Sequence, residues 1–270
     1  MTRAAAAAKI NLSLVVGPLR SDGKHEIATV YQRIALSDRI AVERSSELRV
    51  TGFTDDTLVR RALELMADGS GASFSARIQK RIPVAAGLGG GSSDAATALR
   101  LANDLRPEPY PADRLRTFAG ELGADIPYFL ADGPQLGTAD GTELEPLDLP
   151  QDYWVLLVLP RSAKKTATEH VYGEFDARGG ELGYEERRAA LREAVGRVRR
   201  PRDLAALPRN DLASSPVSVE LSDLGAFRAD VTGAGPTVYG LFLHGAHARS
   251  AQKQISRRGR TWLTAPAWYR

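Results

Sequence analysis

The beginning of the chain shows the alternation of apolar and polar residues that is typical of β structure. Apolar side chains occupy every second position from residue 10 to residue 16, which is the period of a half-buried strand. Lys9 and Asn11 therefore lie together on its other face. After a turn at residues 21–23, β-branched and aromatic residues predict further strands, at residues 25–36, 40–42 and 48–50.

Helical patterns follow in the middle of the chain. Asp55 and Asp56 precede a helical apolar pattern that extends to Met66, and either can cap that helix. A glycine-rich turn at residues 87–91 leads into a predicted helix with Ser92, Ser93 and Asp94 at its head. The same reasoning predicts strands at 74–78, 154–159 and 237–242, a helix at 111–122, and turns at 140–141 and 232–236.

The predicted secondary structure changes near residue 160, because helical patterns interrupted by glycine and proline follow the buried strand at 154–159. We therefore predict two domains, residues 1–153 and residues 154–270. No fixed-period repeat is visible, which argues against solenoids and propellers.

Composition narrows the class of protein. With 43% hydrophobic and 26% charged residues among 270, the chain is typical of a soluble globular protein with a substantial core. No apolar run approaches the ~20 residues of a membrane-spanning helix, and Lys9 and Asn11 interrupt the alanines at 4–8 before they reach the length of a signal-peptide core. The absence of cysteine excludes disulfide frameworks, thiolate metal sites and cysteine nucleophiles. We expect a cytoplasmic protein that does not bind membranes.

Charge gives little sign of a nucleic-acid partner. The 36 basic and 33 acidic residues leave a net charge of +3. The arginine-rich segment at 187–202 carries apolar residues at helical spacing, so its arginines are predicted to form the solvated side of an amphipathic helix. Aromatic residues are not interleaved within that basic run, which disfavours RNA binding, and we expect no nucleic-acid partner.

The segment from Pro83 to Asp94 points to a phosphate. Its glycines allow the backbone to approach an anion, and the following helix presents N–H groups and the positive end of its dipole. A Walker loop would need a lysine after the last glycine, and Ser92 follows here instead. A dinucleotide fingerprint is matched only in part and remains the weaker alternative.

The segment from Pro83 to Ser93 resembles the ATP-binding loop of the GHMP kinases, Pro-x-x-x-Gly-Leu-Gly-x-x-Ser-Ser. Four further segments resemble the branch of that family that phosphorylates a cytidylated methylerythritol, in the right order along nearly the whole chain. They are Ala-Lys-Ile-Asn-Leu at 8–12, Asp-Gly-Lys-His-Glu at 22–26, Gly-Ala-Asp-Ile-Pro-Tyr-Phe at 123–129 and Thr-Gly-Ala-Gly-Pro at 232–236.

The resemblance implies an α+β, two-domain GHMP kinase fold, with an N-terminal domain like the second domain of ribosomal protein S5 and a ferredoxin-like C-terminal domain. It also implies ATP-dependent transfer of a phosphoryl group to the 2-hydroxyl of the cytidylated methylerythritol, in the non-mevalonate isoprenoid route, with Mg²⁺ expected beside ATP. The partners are then small-molecule substrates. The oligomeric state and any metal ligands stay open.

Residue roles follow from the same resemblance. Asp125 would be the catalytic carboxylate, with a helix N-cap as its structural alternative, and Lys9 the catalytic lysine, with an ordinary exposed strand lysine as its alternative. The resemblance places substrate contacts at Asn11, His25, Asp125, Thr168 and Tyr172. It places ATP contacts at Lys80, Pro83, Gly87, Leu88, Gly89, Gly90, Gly91, Ser92 and Ser93.

The chain also departs from the family pattern. Lys24 stands where the family usually has a tyrosine that stacks on cytosine, and Thr57 replaces an asparagine that touches the nucleotide. Residues 140–143 replace the usual Gly-x-Gly-Glu. These changes leave open a GHMP kinase acting on a different small alcohol. A non-catalytic nucleotide-binding protein is disfavoured, because Lys9 and Asp125 are both retained.

Overall fold

The computed structural model describes residues 1–53, 55–67, 73–162 and 167–267. The chain forms two compact units, each assembled from several segments. The first unit contains residues 1–8, 36–84 and 89–132, and the second contains residues 9–35, 85–88 and 133–270. The boundary between residues 153 and 154 stays a prediction.

Two long strands run through the first part of the chain. They are β1 (Thr2–Leu19) and β2 (His25–Ser45), and they pair with each other. The strands predicted at 25–36 and 40–42 both lie in β2, but the predicted break between them is wrong, because the strand continues through Asp38. The Asp38 carboxylate turns inward and accepts hydrogen bonds from the backbone N–H groups of Arg81 and Ile82, so a polar residue is accommodated without a break in the strand.

The first unit packs helices on a sheet. Strand β3 (Arg49–Thr51) runs parallel to β4 (Ser73–Gln79), which pairs antiparallel with the C-terminal part of β2. Its helices are α1 (Leu58–Ala67), α2 (Gly90–Asp104) and α3 (Ala112–Leu122), followed by a 3₁₀ turn, Pro127–Leu130. Alternate residues of β4, Phe74 and Ile78 among them, are buried, as predicted. Asp56 caps α1 by accepting a hydrogen bond of 2.6 Å from the Val59 N–H, which confirms one of the two predicted caps.

The second unit contains the N-terminal part of β2, which pairs with β5 (Gln135–Thr138), and β6 (Glu143–Pro146), which pairs with β5. It also contains a four-stranded antiparallel sheet in the order β10-β7-β9-β8. The strands of that sheet are β7 (Trp154–Pro160), β8 (Arg228–Val231), β9 (Val238–Phe242) and β10 (Gly259–Thr264).

Helices connect these strands. The segment between β7 and β8 contains α4 (Thr168–Ala177), α5 (Tyr184–Arg197) and α6 (Pro216–Asp223), and α7 (Gly245–Ile255) lies between β9 and β10. With α6 and α7 as the two crossover helices, the strand order 4-1-3-2 is that of a ferredoxin-like β-α-β-β-α-β unit. The predicted α+β class and the ferredoxin-like C-terminal domain are confirmed. A core of Leu156, Val158, Leu221, Val238 and Phe242 joins the sheet to α6.

Helix α5 is largely the solvated arginine helix that the sequence predicted, since only Tyr184 and Leu191 are buried in it. Arg187 is the exception. Its guanidinium donates to the carbonyl oxygens of Val16 (2.9 Å) and Gly180 (2.8 Å) and pairs with Asp211 (3.1 Å). Arg187 therefore ties β1, at Val16, to the segment between α4 and α5, at Gly180. Among the described residues, no helix is long and apolar enough to cross a membrane.

Candidate active site

The glycine-rich loop leads directly into α2. Gly87 (φ +76°) and Gly89 (φ +66°) both adopt left-handed backbone conformations that favour glycine. The helix begins at Gly90, two residues before the predicted start, and Gly89 occupies the N-cap position without a side-chain cap. The first backbone N–H groups of this 15-residue helix have no partner within the helix. This is the arrangement that favours an anion.

Gly87 also marks a close approach between two glycine turns. A Cβ atom on Gly87 would lie 2.6 Å from the carbonyl oxygen of Thr232 and 2.9 Å from that of Gly235. Both distances are shorter than real Cβ contacts allow. The turn at 232–236, which the sequence singled out, therefore packs against the phosphate loop within the second unit, and only glycine fits at residue 87.

Lys9 and Asn11 lie side by side on β1, as the strand period predicts, but both are buried, with 4% exposure each. The Lys9 ammonium donates a hydrogen bond of 2.8 Å to Asn11 Oδ1 and lies 5.4 Å from the centre of the Tyr31 ring. The exposed-lysine alternative is wrong. A buried lysine needs polar partners to remain charged, and Asn11 supplies one of them.

Two threonines hold Asn11 in turn. Asn11 Nδ2 donates to Thr29 Oγ1 at 2.8 Å, and the Asn11 backbone N–H donates to Thr232 Oγ1 at 3.0 Å. Thr232 Oγ1 also lies 3.3 Å from Asn11 Oδ1. Sequence reasoning assigned no role to either threonine. Thr232 could have been found, because it opens the second glycine motif; Thr29 carries no such signal.

His25 and Tyr172, both predicted to contact the base, meet in the second unit. Their rings stack with centres 4.9 Å apart and planes at 24°, and Phe175 packs edge-on against His25. His25 Nδ1 lies 2.9 Å from the carbonyl oxygen of Gly17. A carbonyl only accepts, so Nδ1 carries the proton in this bond. A flat base between two rings would need about 7 Å, so the rings as they stand do not leave room for one.

Lys24 and Asp140, two positions where the chain departs from the family pattern, form an ion pair of 2.5 Å. Although burial alone would raise it, hydrogen bonds from Lys24 and Thr142 hold the pKa of the Asp140 carboxyl below its usual value. The two departures therefore compensate each other: the lysine neutralises the carboxylate that stands in the turn between β5 and β6.

Lys80, predicted to contact ATP, lies between two buried carboxylates of the first unit. Its ammonium is 2.5 Å from Asp38 Oδ2 and 2.8 Å from Asp94 Oδ2. Burial raises the pKa of Asp94 to about 8, against the opposing effect of Lys80. Burial alone would lower the pKa of Lys80, but the two carboxylates outweigh it and raise that pKa. Asp94 lies near the start of α2, as predicted, and its carboxylate bonds to Lys80.

Asp125 is half-buried and directly precedes Ile126, which occupies the N-cap position of the 3₁₀ turn that begins at Pro127. The N-cap alternative for Asp125 therefore does not fit this turn. Asp125 belongs to the first unit and Lys9 to the second. Thr168 is exposed at the first residue of α4, and Ser92 is half-buried in the first turn of α2.

Comparisons with known proteins agree with this geometry. A family model described as the GHMP kinases N terminal domain matches residues 57–133, and one described as GHMP kinases C terminal matches residues 220–261. A crystal structure of mevalonate kinase shares the fold, with a TM-score of 0.77 at 14% identity over 100% of both chains. The fold and the glycine loop are thus those of a GHMP kinase.

Nearer relatives define the particular family. The 4-diphosphocytidyl-2-C-methyl-D-erythritol kinase of Synechococcus sp. (strain CC9605) is 35% identical over 285 residues, which cover 95% of this chain and 92% of that protein. A crystal structure of 4-(cytidine 5'-diphospho)-2C-methyl-D-erythritol kinase has a TM-score of 0.80 and 31% identity, over 99% of this chain and 100% of that one. The chain belongs to the 4-diphosphocytidyl-2-C-methyl-D-erythritol kinase family.

Proposed function

We propose that this protein is an ATP-dependent kinase that phosphorylates the 2-hydroxyl of 4-diphosphocytidyl-2-C-methyl-D-erythritol, a step of isoprenoid precursor synthesis. The observation that carries the proposal is the 35% identity, over 95% of the chain, with a relative of that name. The buried Lys9–Asn11 pair and the phosphate loop supply chemistry that such a reaction needs.

ATP is the proposed phosphoryl donor, with its phosphates at the start of α2. The first N–H groups of the helix and the hydroxyls of Ser92 and Ser93 are suitable donors for phosphate oxygens. Mg²⁺ is proposed as part of the ATP complex, because phosphate oxygens are among its ordinary ligands. In the described ranges, no group of three or more histidine, aspartate or glutamate side chains could hold a metal ion.

The proposed reaction is an in-line displacement. The 2-hydroxyl oxygen attacks the γ-phosphorus, the bond from that phosphorus to the bridging oxygen breaks, and ADP leaves. Asp125 accepts the hydroxyl proton, and the Lys9 ammonium stabilises the charge on the transferring group. In this proposal the Asn11 side chain, with its amide fixed by Thr29, both orients Lys9 and contacts the methylerythritol.

The cytidine is proposed to lie against His25 and Tyr172. Nδ1 of His25 bonds to the Gly17 carbonyl, so only the Nε2 side of the ring, which lies 3.4 Å from Asp176 Oδ1, is left for the polar edge of cytosine. The base would stack on the outer face of Tyr172 or displace that ring from His25, since the two rings are in contact. Thr168 is a further proposed contact at the start of α4.

We propose that the protein acts in the cytoplasm on small molecules, without a nucleic-acid partner. The arginines of α5 support the second point, because several pair with nearby carboxylates. The pairs are Arg188 with Glu185, Arg192 with Glu145 and Arg197 with Glu193.

An alcohol panel tests the function. ADP release, coupled to an indicator reaction, is measured with 4-diphosphocytidyl-2-C-methyl-D-erythritol, mevalonate, homoserine and the free methylerythritol. We expect turnover only with the cytidylated alcohol. Turnover of another alcohol alone would assign a different substrate within the same fold, and no ADP release with any of them would remove the kinase proposal.

A further inference from the structure

One ammonium group ties three elements of the first unit together. Lys80 directly follows β4, Asp38 lies within β2, and Asp94 lies near the start of α2. The Lys80 ammonium is 2.5 Å from Asp38 Oδ2 and 2.8 Å from Asp94 Oδ2. Both carboxylates are fully buried, and the lysine side chain is 16% exposed. Two of the three N–H donors of the ammonium are therefore committed to protein carboxylates.

Asp38 also fixes the chain that enters the phosphate loop. Its Oδ1 accepts from the backbone N–H groups of Arg81 (2.5 Å) and Ile82 (2.9 Å). One carboxylate therefore holds residues 80–82 through three hydrogen bonds. Charge-assisted bonds of this kind are stronger than bonds between neutral groups, so the entrance to the loop is rigidly placed.

The C-terminal end of the loop, where α2 begins, also lies close to Lys80. A Cβ atom on Gly90, the first residue of α2, would lie 3.3 Å from the Lys80 ammonium and 3.0 Å from Ile82 Cγ2. Asp94, about one turn further along α2, bonds to that ammonium. The residues on both sides of the loop at 83–89 are thus held next to Lys80.

We propose that Lys80 is a positioning residue for the phosphate loop, which it holds at both ends through Asp38 and Asp94, rather than a direct ligand of the nucleotide. This inference rests on the proposed function, since it assigns the loop to the phosphates of ATP. A preorganised loop binds its ligand more tightly, because the ordering of the backbone is already complete.

The electrostatics of the cluster agree with such a role. Burial raises the pKa of Asp94 to about 8, which makes Asp94 largely neutral at pH 7. Lys80 is then the cation that faces both carboxyl groups. Removal of the ammonium would leave a buried carboxylate without its cation, and the cluster would rearrange.

Binding of ADP and of adenosine, measured by calorimetry, separates a role at the phosphate loop from direct contact with adenine, and the Asp94→Asn variant below, which keeps the ammonium, separates positioning from direct contact with a phosphate. The variants are Lys80→Met, which keeps most of the stem, and Arg81→Met, a matched control that removes an exposed cation from the neighbouring residue. We expect Lys80→Met to weaken ADP binding by about tenfold or more, with adenosine binding changed less than twofold. Arg81→Met should leave both unchanged.

Asp94→Asn is the second variant, in case Lys80→Met does not fold. Asparagine keeps the shape of the side chain, and we expect it to weaken ADP binding in the same direction by a smaller factor, again with adenosine unaffected. Equal losses for adenosine and ADP would make Lys80 a direct ligand beside the adenine and overturn the inference. Wild-type ADP binding in the folded variants would overturn it too.

The same measurement distinguishes this inference from the proposed function. A wild-type chain that does not bind ADP removes the proposed function, and the inference falls with it. A wild-type chain that binds ADP and turns over the cytidylated alcohol, with cluster variants that bind ADP equally well, overturns the inference alone.

Discussion

Removal of the Thr232 hydroxyl tests how the buried Lys9–Asn11 pair is held in place. Thr232 is fully buried, and its Oγ1 accepts a hydrogen bond of 3.0 Å from the Asn11 backbone N–H. Valine has nearly the shape of threonine and offers no acceptor. Thr232→Val would therefore leave the buried N–H of Asn11 without this bond and would free Asn11 Oδ1, which holds Lys9.

The size of the effect follows from these contacts. A buried donor without a partner costs about 1–3 kcal/mol. The entropy of unfolding is about 2.1 cal/mol/K per residue, which for 270 residues gives about 570 cal/mol/K, so the Tm should fall by about 2–5 °C. A displaced Lys9 would also stabilise the transferring phosphoryl group less well, and we expect kcat to fall by about tenfold.

Thr237 provides a matched control five residues away. It is fully buried as well, but its hydroxyl has no hydrogen-bond partner in the part of the chain that the structure describes. Thr237→Val should therefore leave the Tm and kcat unchanged or raise the Tm slightly. Thermal unfolding and initial rates of ADP formation on the two variants decide the matter. Equal losses in both, or wild-type values for Thr232→Val, would refute the reasoning.

Three further changes have distinct expected results. Gly89→Val forces a β-branched residue to φ +66° at the start of α2 and should weaken ATP binding with little loss of fold; an unchanged ATP affinity would contradict the phosphate assignment. Tyr172→Ala should raise the KM for the cytidylated alcohol more than the KM for ATP, whereas equal effects would indicate a core tyrosine. The pKa of Asp94 is raised in the folded state, so its contribution to stability is lost as the pH rises from about 4 to about 8. The Asp94→Asn variant has no such carboxyl group, so its Tm should rise relative to the wild-type Tm between pH 5.5 and pH 8.5. A difference in Tm that stays constant over this range would show that Asp94 does not titrate there.

Local patterns were enough to predict most elements of the fold. The alternation at residues 10–16, the cap at Asp56 and the glycine turn before α2 each depend on neighbours within a few residues. Such periods and caps involve residues that are close together in the sequence, so the sequence alone predicts them. The strand β2 shows the limit of this reasoning, because the buried Asp38 falls in the gap between the strands predicted at 25–36 and 40–42.

The partners of the site residues could not be predicted in the same way. Asn11 meets Thr232 across 221 residues, Lys24 meets Asp140 across 116, and Lys80 meets Asp38 across 42. Tertiary packing determines such contacts, and the local periodicity of the sequence does not predict them. The family motifs indicated which residues are candidates for the site, and the structure adds the contacts that hold those side chains in place.

The turnover of Asp125→Asn tests the proposed chemistry most directly. Asparagine keeps the size of the side chain and most of its hydrogen bonding but removes the basic oxygen. If Asp125 accepts the proton of the 2-hydroxyl, kcat should fall by about 100- to 10,000-fold, with a Tm near that of the wild type because Ile126 holds the N-cap position. A stable variant with near-normal turnover of 4-diphosphocytidyl-2-C-methyl-D-erythritol would contradict the mechanism.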